Sequence, residues 1–196
     1  MNWSLAIVAG GKSSRMGTDK AFVKLDSKPM IQHVIDRITG LGQSETILIT
    51  NQPSAYEQFG LPIFTDVYPD KGSLGGIYTA ITYAQHPYIL VVACDMPFLN
   101  SNLLRFMVSQ ITEDIDIIAP RVEGYPQGLH AIYNKTCLLP IQERLDANRL
   151  KIIRFYDDVR VRYLDESAYE TYDPDGLSFT NLNTPDELDD ARQQLL

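Results

Sequence analysis

The sequence predicts an α/β fold, a doubly wound and mostly parallel sheet with helices on both faces. Three observations predict it. Runs rich in Ile and Val at Leu5 to Val8, Thr46 to Thr50, Ile89 to Ala93 and Ile115 to Ala119 are apolar without alternation, as strands covered on both faces are. Segments of helical period fall between them, so strand and helix alternate along the first half. A chain of 196 residues, 44% hydrophobic and 21% charged, also suffices for one sizeable core with no flexible linker, so one domain over 1–196 is expected.

Each element has a local reason. The first strand is the apolar run Trp3 to Val8. Behind Pro29, a residue suited to a first helical turn, Ile31, Val34, Ile35, Ile38 and Leu41 repeat at helical spacing. That predicts a helix over Pro29 to Leu41 and, with the strands around it, a βαβ unit. Ile63 to Thr65 is strand-like, a second helix is expected from about Leu74 to Ala84, and a third follows Asn100, where Leu103, Leu104, Met107 and Ile111 are apolar. The later half is more mixed. Gly128 to Tyr133 and Val159 to Leu164 read as strands, Cys137 to Leu145 and Arg149 to Tyr156 as helices, and Ser167 to Gly176 as a loop rich in Tyr and Asp. Thr184-Pro185-Asp186-Glu187 joins an N-cap Thr, a Pro at the first helical position and a Glu three residues after the cap, which predicts a final helix.

Composition excludes some functions. A net charge of −8 argues against broad electrostatic binding to nucleic acid or an anionic membrane. No apolar run reaches the roughly 20 residues of a membrane span, and no basic stretch leads an apolar signal core, so a cytoplasmic protein is expected. Cys94 and Cys137 are too few for a disulfide framework or a zinc knuckle. Positive charge is nevertheless concentrated near the start: Lys12, Arg15, Lys20 and Lys24 lie close together, and no Glu precedes Glu45.

That charge sits in the loop after the first strand, Val8-Ala9-Gly10-Gly11-Lys12-Ser13-Ser14-Arg15-Met16-Gly17-Thr18-Asp19-Lys20. A glycine pair there lets backbone N–H groups approach a phosphate or base, while Lys12, Arg15 and Lys20 supply charge for a polyphosphate. With glycines at 10, 11 and 17, the spacing fits neither the Walker-type phosphate loop nor the dinucleotide fingerprint. Asp95, in Cys94-Asp95-Met96-Pro97, stands where the strand Tyr88 to Ala93 ends. Open α/β sheets place ligands at such strand ends, which makes Asp95 the best metal-ligand candidate, with a turn cap as the plainer alternative. The segment Asp66 to Gly76 forms a second glycine-dense loop whose backbone could wrap a nucleobase or ribose. Asp66 could contact a second metal ion or an acceptor. Asn51 follows another strand and could bond a base or ribose, or form an Asx-turn. Asn181 and Asn183 would share one face if extended, and Asn183 could complete an Mg²⁺ site with Asp95, or cap a turn. His130 is a candidate acceptor contact. Nothing pairs Ser or Cys with His for acyl chemistry, and no general base is evident. Both fit an acceptor that is already ionised, such as a phosphate monoester.

Taken together, Ala9-Gly10-Gly11 with Ser13, Arg15-Met16-Gly17 and Asp19-Lys20, Asp66 with Gly72 to Gly76, Cys94-Asp95-Met96-Pro97, and Asn181-Leu182-Asn183-Thr184-Pro185 resemble the molybdopterin-nucleotidyltransferases, nearest to those that guanylylate the molybdenum cofactor. The resemblance runs nearly end to end and is weakest between about Asn134 and Gly176. It implies a Rossmann variant like that of the nucleotide-diphospho-sugar transferases. It implies transfer of GMP from GTP to the terminal phosphate of molybdopterin or the molybdenum cofactor, with Mg²⁺ and release of pyrophosphate, the product passing to molybdoenzymes or their chaperones. By this resemblance Val8, Ala9 and Gly10 line the nucleotide, Lys20 contacts its phosphates, Asn51 and Asp66 bind GTP, and Asp95 holds nucleotide and Mg²⁺. Arg15 is added as a phosphate contact on charge grounds. Guanine is inferred from Gly11, since CTP-using relatives resemble Ala-Ala-Gly here. Two departures from the family pattern are Ser73, where Pro usually follows Gly72, and Val8 in place of Leu. The alternatives are a CTP-using molybdopterin transferase, a nucleotidyltransferase for a sugar or polyol phosphate, and a non-catalytic molybdopterin carrier. A Rossmann oxidoreductase is disfavoured by the glycine spacing.

Overall fold

A computed structural model describes residues 1–9, 19–182 and 187. Gly10, Gly11, Arg15 and Asn183, and the helix expected from Thr184, lie outside the described residues. The strands and helices follow in chain order. β1 is Ser4–Val8, β2 Lys24–Leu25, β3 Lys28–Pro29, α1 Met30–Ile38, β4 Glu45–Ile49, α2 Pro53–Tyr56 and β5 Ile63–Phe64. Then come α3 Gly72–Tyr83, β6 Tyr88–Ala93, α4 Ser101–Ser109, β7 Ile117–Val122, β8 Tyr125–Pro126, β9 His130–Asn134, α5 Leu138–Asp146, β10 Val161–Leu164 and α6 Glu166–Tyr169.

The four strands at the heart of the first half run parallel. β1 pairs with β4 on one side and β6 on the other, and β5 extends β4. β9 enters antiparallel between β6 and β7, while β10 runs parallel to β7. The expected mostly parallel, doubly wound sheet is therefore present, with one reversed strand inside it.

Alternate residues of each central strand feed opposite layers, because successive side chains of a strand point to opposite faces. Leu5, Ile7, Leu48, Leu90 and Val92 pack with α1 and α4, whereas Ala6, Val8, Ile47, Ile49, Ile89 and Val91 pack with α3 and α5. Burying both faces is the physical reason these strands carry no polar alternation.

Some boundaries differ from the expectations. The helix behind Pro29 stops at Ile38 because Gly40 adopts φ +76, although Leu41 still buries against the same layer. Arg149 to Tyr156 is not an α-helix; a 3₁₀ helix spans Ile152–Asp158 instead. Ser167 to Gly176 is not all loop, since α6 begins at Glu166. Gly75 and Gly76 lie inside α3 rather than in a loop before it. A Cβ on Gly76 would come within 2.7 Å of Val8 Cγ1, so the missing side chain lets α3 press onto the end of β1.

Candidate active site

Backbone pairing continues beyond the formal strand ends. The Val8 carbonyl accepts the Cys94 N–H at 3.1 Å, and the Ala9 N–H donates to Ile49 at 2.8 Å. Thr50 donates to Phe64 at 3.0 Å, and Ala93 to Leu129 at 3.1 Å. The ends of β1, β4, β5 and β6 and the start of β9 thus make one fixed rim at the carboxyl edge of the sheet, where ligands of open α/β folds bind. Val8 and Ala9 are buried, so their contribution at this rim is backbone.

Asp95 follows β6 on this rim and is half-buried. Burial pushes its carboxyl above the usual carboxylate range, and the Lys20 ammonium draws it partly back. Lys20 opens a 3₁₀ turn, Lys20–Phe22, capped by Asp19, whose Oδ1 accepts the Ala21 N–H at 3.1 Å. The other Asp19 oxygen accepts from the buried Tyr56 hydroxyl of α2 at 2.7 Å. The chain is therefore anchored one residue before Lys20.

Asn51 and Asp66, at the ends of β4 and β5, are joined to each other. Asn51 Nδ2 donates to Asp66 Oδ2 at 2.8 Å, and the Asp66 N–H donates to Asn51 Oδ1 at 3.1 Å. Thr79 of α3 steadies the pair: its hydroxyl accepts the Val67 N–H at 3.0 Å, donates to the Gly75 carbonyl at 2.9 Å, and lies 3.5 Å from Asp66 Oδ1. Burial raises the Asp66 carboxyl, with Asn51 and Thr79 opposing.

The segment leading to residue 183 reaches the same rim. Leu182 donates its N–H to the Asp95 carbonyl at 3.2 Å. Upstream, the buried Ser178 hydroxyl accepts the Asn100 N–H at 2.8 Å, and the Ser178 N–H donates to Asp173 at 3.0 Å. Asn100 in turn caps α4 through the N–H groups of Asn102 and Leu103. His130 is not at the rim surface: it is fully buried and its ring lies 4.8 Å from that of Phe179, which withdraws it as an acceptor contact.

The MobA-like NTP transferase domain is matched over residues 5–160. The chain belongs to the MobA-like NTP transferase family. A probable molybdenum cofactor guanylyltransferase of Clostridium perfringens is 37% identical over 95% of this chain and 94% of its own length. A molybdenum cofactor guanylyltransferase of Desulfosudis oleivorans is 34% identical, covering 94% and 92%. In fold, the crystal structure of molybdopterin-guanine dinucleotide biosynthesis protein A from Archaeoglobus fulgidus matches with a TM-score of 0.86 at 24% identity, covering 98% of each chain.

In this member of the MobA-like family, the fold brings Val8, Ala9, Lys20, Asn51, Asp66 and Asp95 to one edge of the sheet. Reading along the sequence quoted Asp19 only as part of a motif, without its capping and Tyr56 contacts, and missed Tyr56 and Thr79, and Asp173 and Ser178, which fasten the segment before Asn183. Only Asp19 carried a local signal, as a cap directly before Lys20. Among the described residues no three His, Cys, Asp or Glu side chains gather to hold a metal. The Asp95 carboxylate is desolvated and feels the Lys20 charge, and a carboxylate oxygen is a donor that suits a hard divalent ion.

Proposed function

We propose that the chain transfers GMP from GTP to the terminal phosphate of molybdopterin or the molybdenum cofactor, acting in the cytoplasm as one nucleotidyltransferase domain over 1–196. The observation that carries this reading is the Asp95 carboxyl at the end of β6, which feels the Lys20 charge, with the Asn51–Asp66 pair on the same rim. The relatives named as molybdenum cofactor guanylyltransferases support the choice of acceptor and base.

An oxygen of the acceptor phosphate attacks the α-phosphorus of GTP. The new P–O bond forms as the bond to the bridging oxygen breaks, and pyrophosphate leaves with that electron pair. Lys20 and Arg15 meet the growing negative charge on pyrophosphate, while backbone at Val8, Ala9 and Gly10 lines the nucleotide. The acceptor is already ionised near neutral pH, so no side chain has to remove a proton from it. Asp95, with Asn183, would hold Mg²⁺, which supplies charge neutralisation at the reacting phosphates. The Asn51 amide and Asp66 carboxylate present a donor and acceptors complementary to the O6 and N2–H₂ groups of guanine. The choice of guanine over cytosine rests on Gly11 in Ala9-Gly10-Gly11, where CTP-using relatives resemble Ala-Ala-Gly.

Incubation with Mg²⁺, molybdopterin and each nucleoside triphosphate in turn, with the product identified by mass, tests the reading. The guanine dinucleotide and pyrophosphate are expected with GTP. A cytosine dinucleotide would move the chain to the CTP-using group, and no dinucleotide with any triphosphate would sink the proposal.

A further inference from the structure

Tyr56 ends α2 and is fully buried, with its ring 4.9 Å from that of Phe22 and 6.1 Å from that of Phe59. A phenylalanine would fill that aromatic cluster as well. What sets the tyrosine apart is its hydroxyl, which a core position tolerates only with a hydrogen-bond partner. The partner is Asp19 Oδ2 at 2.7 Å, and the Thr50 side chain, just after β4, bonds the same hydroxyl.

Asp19 is held at both carboxylate oxygens. Oδ1 accepts the Ala21 N–H at 3.1 Å, and the Asp19 carbonyl accepts the Phe22 N–H at 3.0 Å, closing the turn that carries Lys20. Tyr56 therefore touches this turn twice, through the cap and through the Phe22 ring. Asp19, Lys20 and Asp95 also lie close enough for their charges to act on the buried Cys94 thiol, which follows β6. The turn and the Asp95 carboxyl thus gather at one strand end. On the other flank, the Gln52 N–H donates to Thr50 Oγ1 at 3.2 Å and α2 starts at Pro53, so the same tyrosine is fastened to the strand end that bears Asn51.

We infer that Tyr56 is a positioning residue of the transfer: its hydroxyl fixes the Asp19 carboxylate, and with it the Lys20 turn, in register with the ends of β4 and β6. This rests on the transferase reading above. Tyr56 is fully buried and acts through Lys20. A cation that meets the charge of a departing pyrophosphate works best when placed before that charge develops, and a displacement of about 1 Å can cost about 10²-fold in rate. Ring contacts are weakly directional, whereas a hydrogen bond to a carboxylate is short and directional. The hydroxyl is therefore the part of Tyr56 that sets the angle of the turn.

Tyr56→Phe in the full chain keeps the ring and removes only the hydroxyl. Its kcat for pyrophosphate release with GTP should fall about tenfold, with KM for GTP little changed. Inorganic pyrophosphate with Mg²⁺, titrated by calorimetry without turnover, should bind about threefold more weakly, because it carries the charge that Lys20 meets. In a Lys20→Ala background both effects should vanish, since no cation is left to misplace. Asp19→Ser, which keeps a capping oxygen for the Ala21 N–H and lacks the second arm to Tyr56, should reproduce both losses. A tyrosine that serves only the core would lower the urea midpoint of Tyr56→Phe and leave kcat and pyrophosphate affinity unchanged. That result overturns the inference, as do full activity in Asp19→Ser or losses of equal size in the Lys20→Ala background. If no triphosphate yields a dinucleotide while Tyr56→Phe still weakens pyrophosphate binding through Lys20, the transferase reading fails and the positioning role stands.

Discussion

Asp95 is a carboxylate kept where its charge is disfavoured. Burial raises its pKa in spite of Lys20, so at neutral pH the ionised form costs the empty fold stability, and either protonation or substitution relieves that cost. Asp95→Asn is accordingly expected to raise the thermal midpoint of the ligand-free protein while lowering pyrophosphate release by about 10³-fold. Calorimetry and a coupled release assay check the two halves; an Asn variant that is less stable and fully active contradicts the role given to Asp95. How much of this site could be read in advance varies by residue. Asp95 was legible because an acidic residue ends the most apolar strand and a glycine-rich loop follows another strand, a pairing that weighed against a simple turn cap. The Tyr56 contact to Asp19 spans 37 residues, and no local pattern in the sequence announces it.

At the scale of elements, the contact between α3 and β1 decides where the rim lies. Glycine disfavours a helix interior by about 1 kcal/mol relative to Ala, yet Gly75 and Gly76 both sit in α3. The gain is close approach to Val8. Gly76→Ala should therefore lower stability by about 1–3 kcal/mol through overpacking, against the helix propensity that Ala adds. Val8→Ala in the same protein should recover part of the loss, a coupling that denaturant unfolding of the two single variants and the double variant measures. Additive losses would show that the two side chains do not meet. The glycines read as a ligand loop in the sequence because a Gly pair marks close approach without saying of what. Here the partner of Gly76 is a strand side chain.

Across the whole molecule, His130 reports on the integrity of the fold. It is fully buried beside Phe179, and burial lowers its pKa from 6.5 to about 4, with the Ser178 backbone opposing. The folded state therefore binds its proton less readily than the unfolded state. Stability from this group is full above the unfolded value and is lost as pH falls from about 6.5 through about 4. Between pH 7 and pH 5 the loss is about 2 kcal/mol. Urea unfolding at a series of pH values should show this slope in the wild type and its disappearance in His130→Gln. An unchanged slope would mean that other groups carry the acid sensitivity. The sequence by itself determined the α/β class, most strand and helix positions, and Lys20, Asn51, Asp66 and Asp95 as candidates, because hydrophobic period and strand-end polarity are local properties. Tertiary structure decided that β9 runs antiparallel between β6 and β7 and that His130 faces the core. It also joined Asn51 to Asp66 and packed Gly128 against Ile152. Strand direction, mutual pairing and close packing arise from contacts between segments far apart in the chain, and the pattern within any one segment does not contain them.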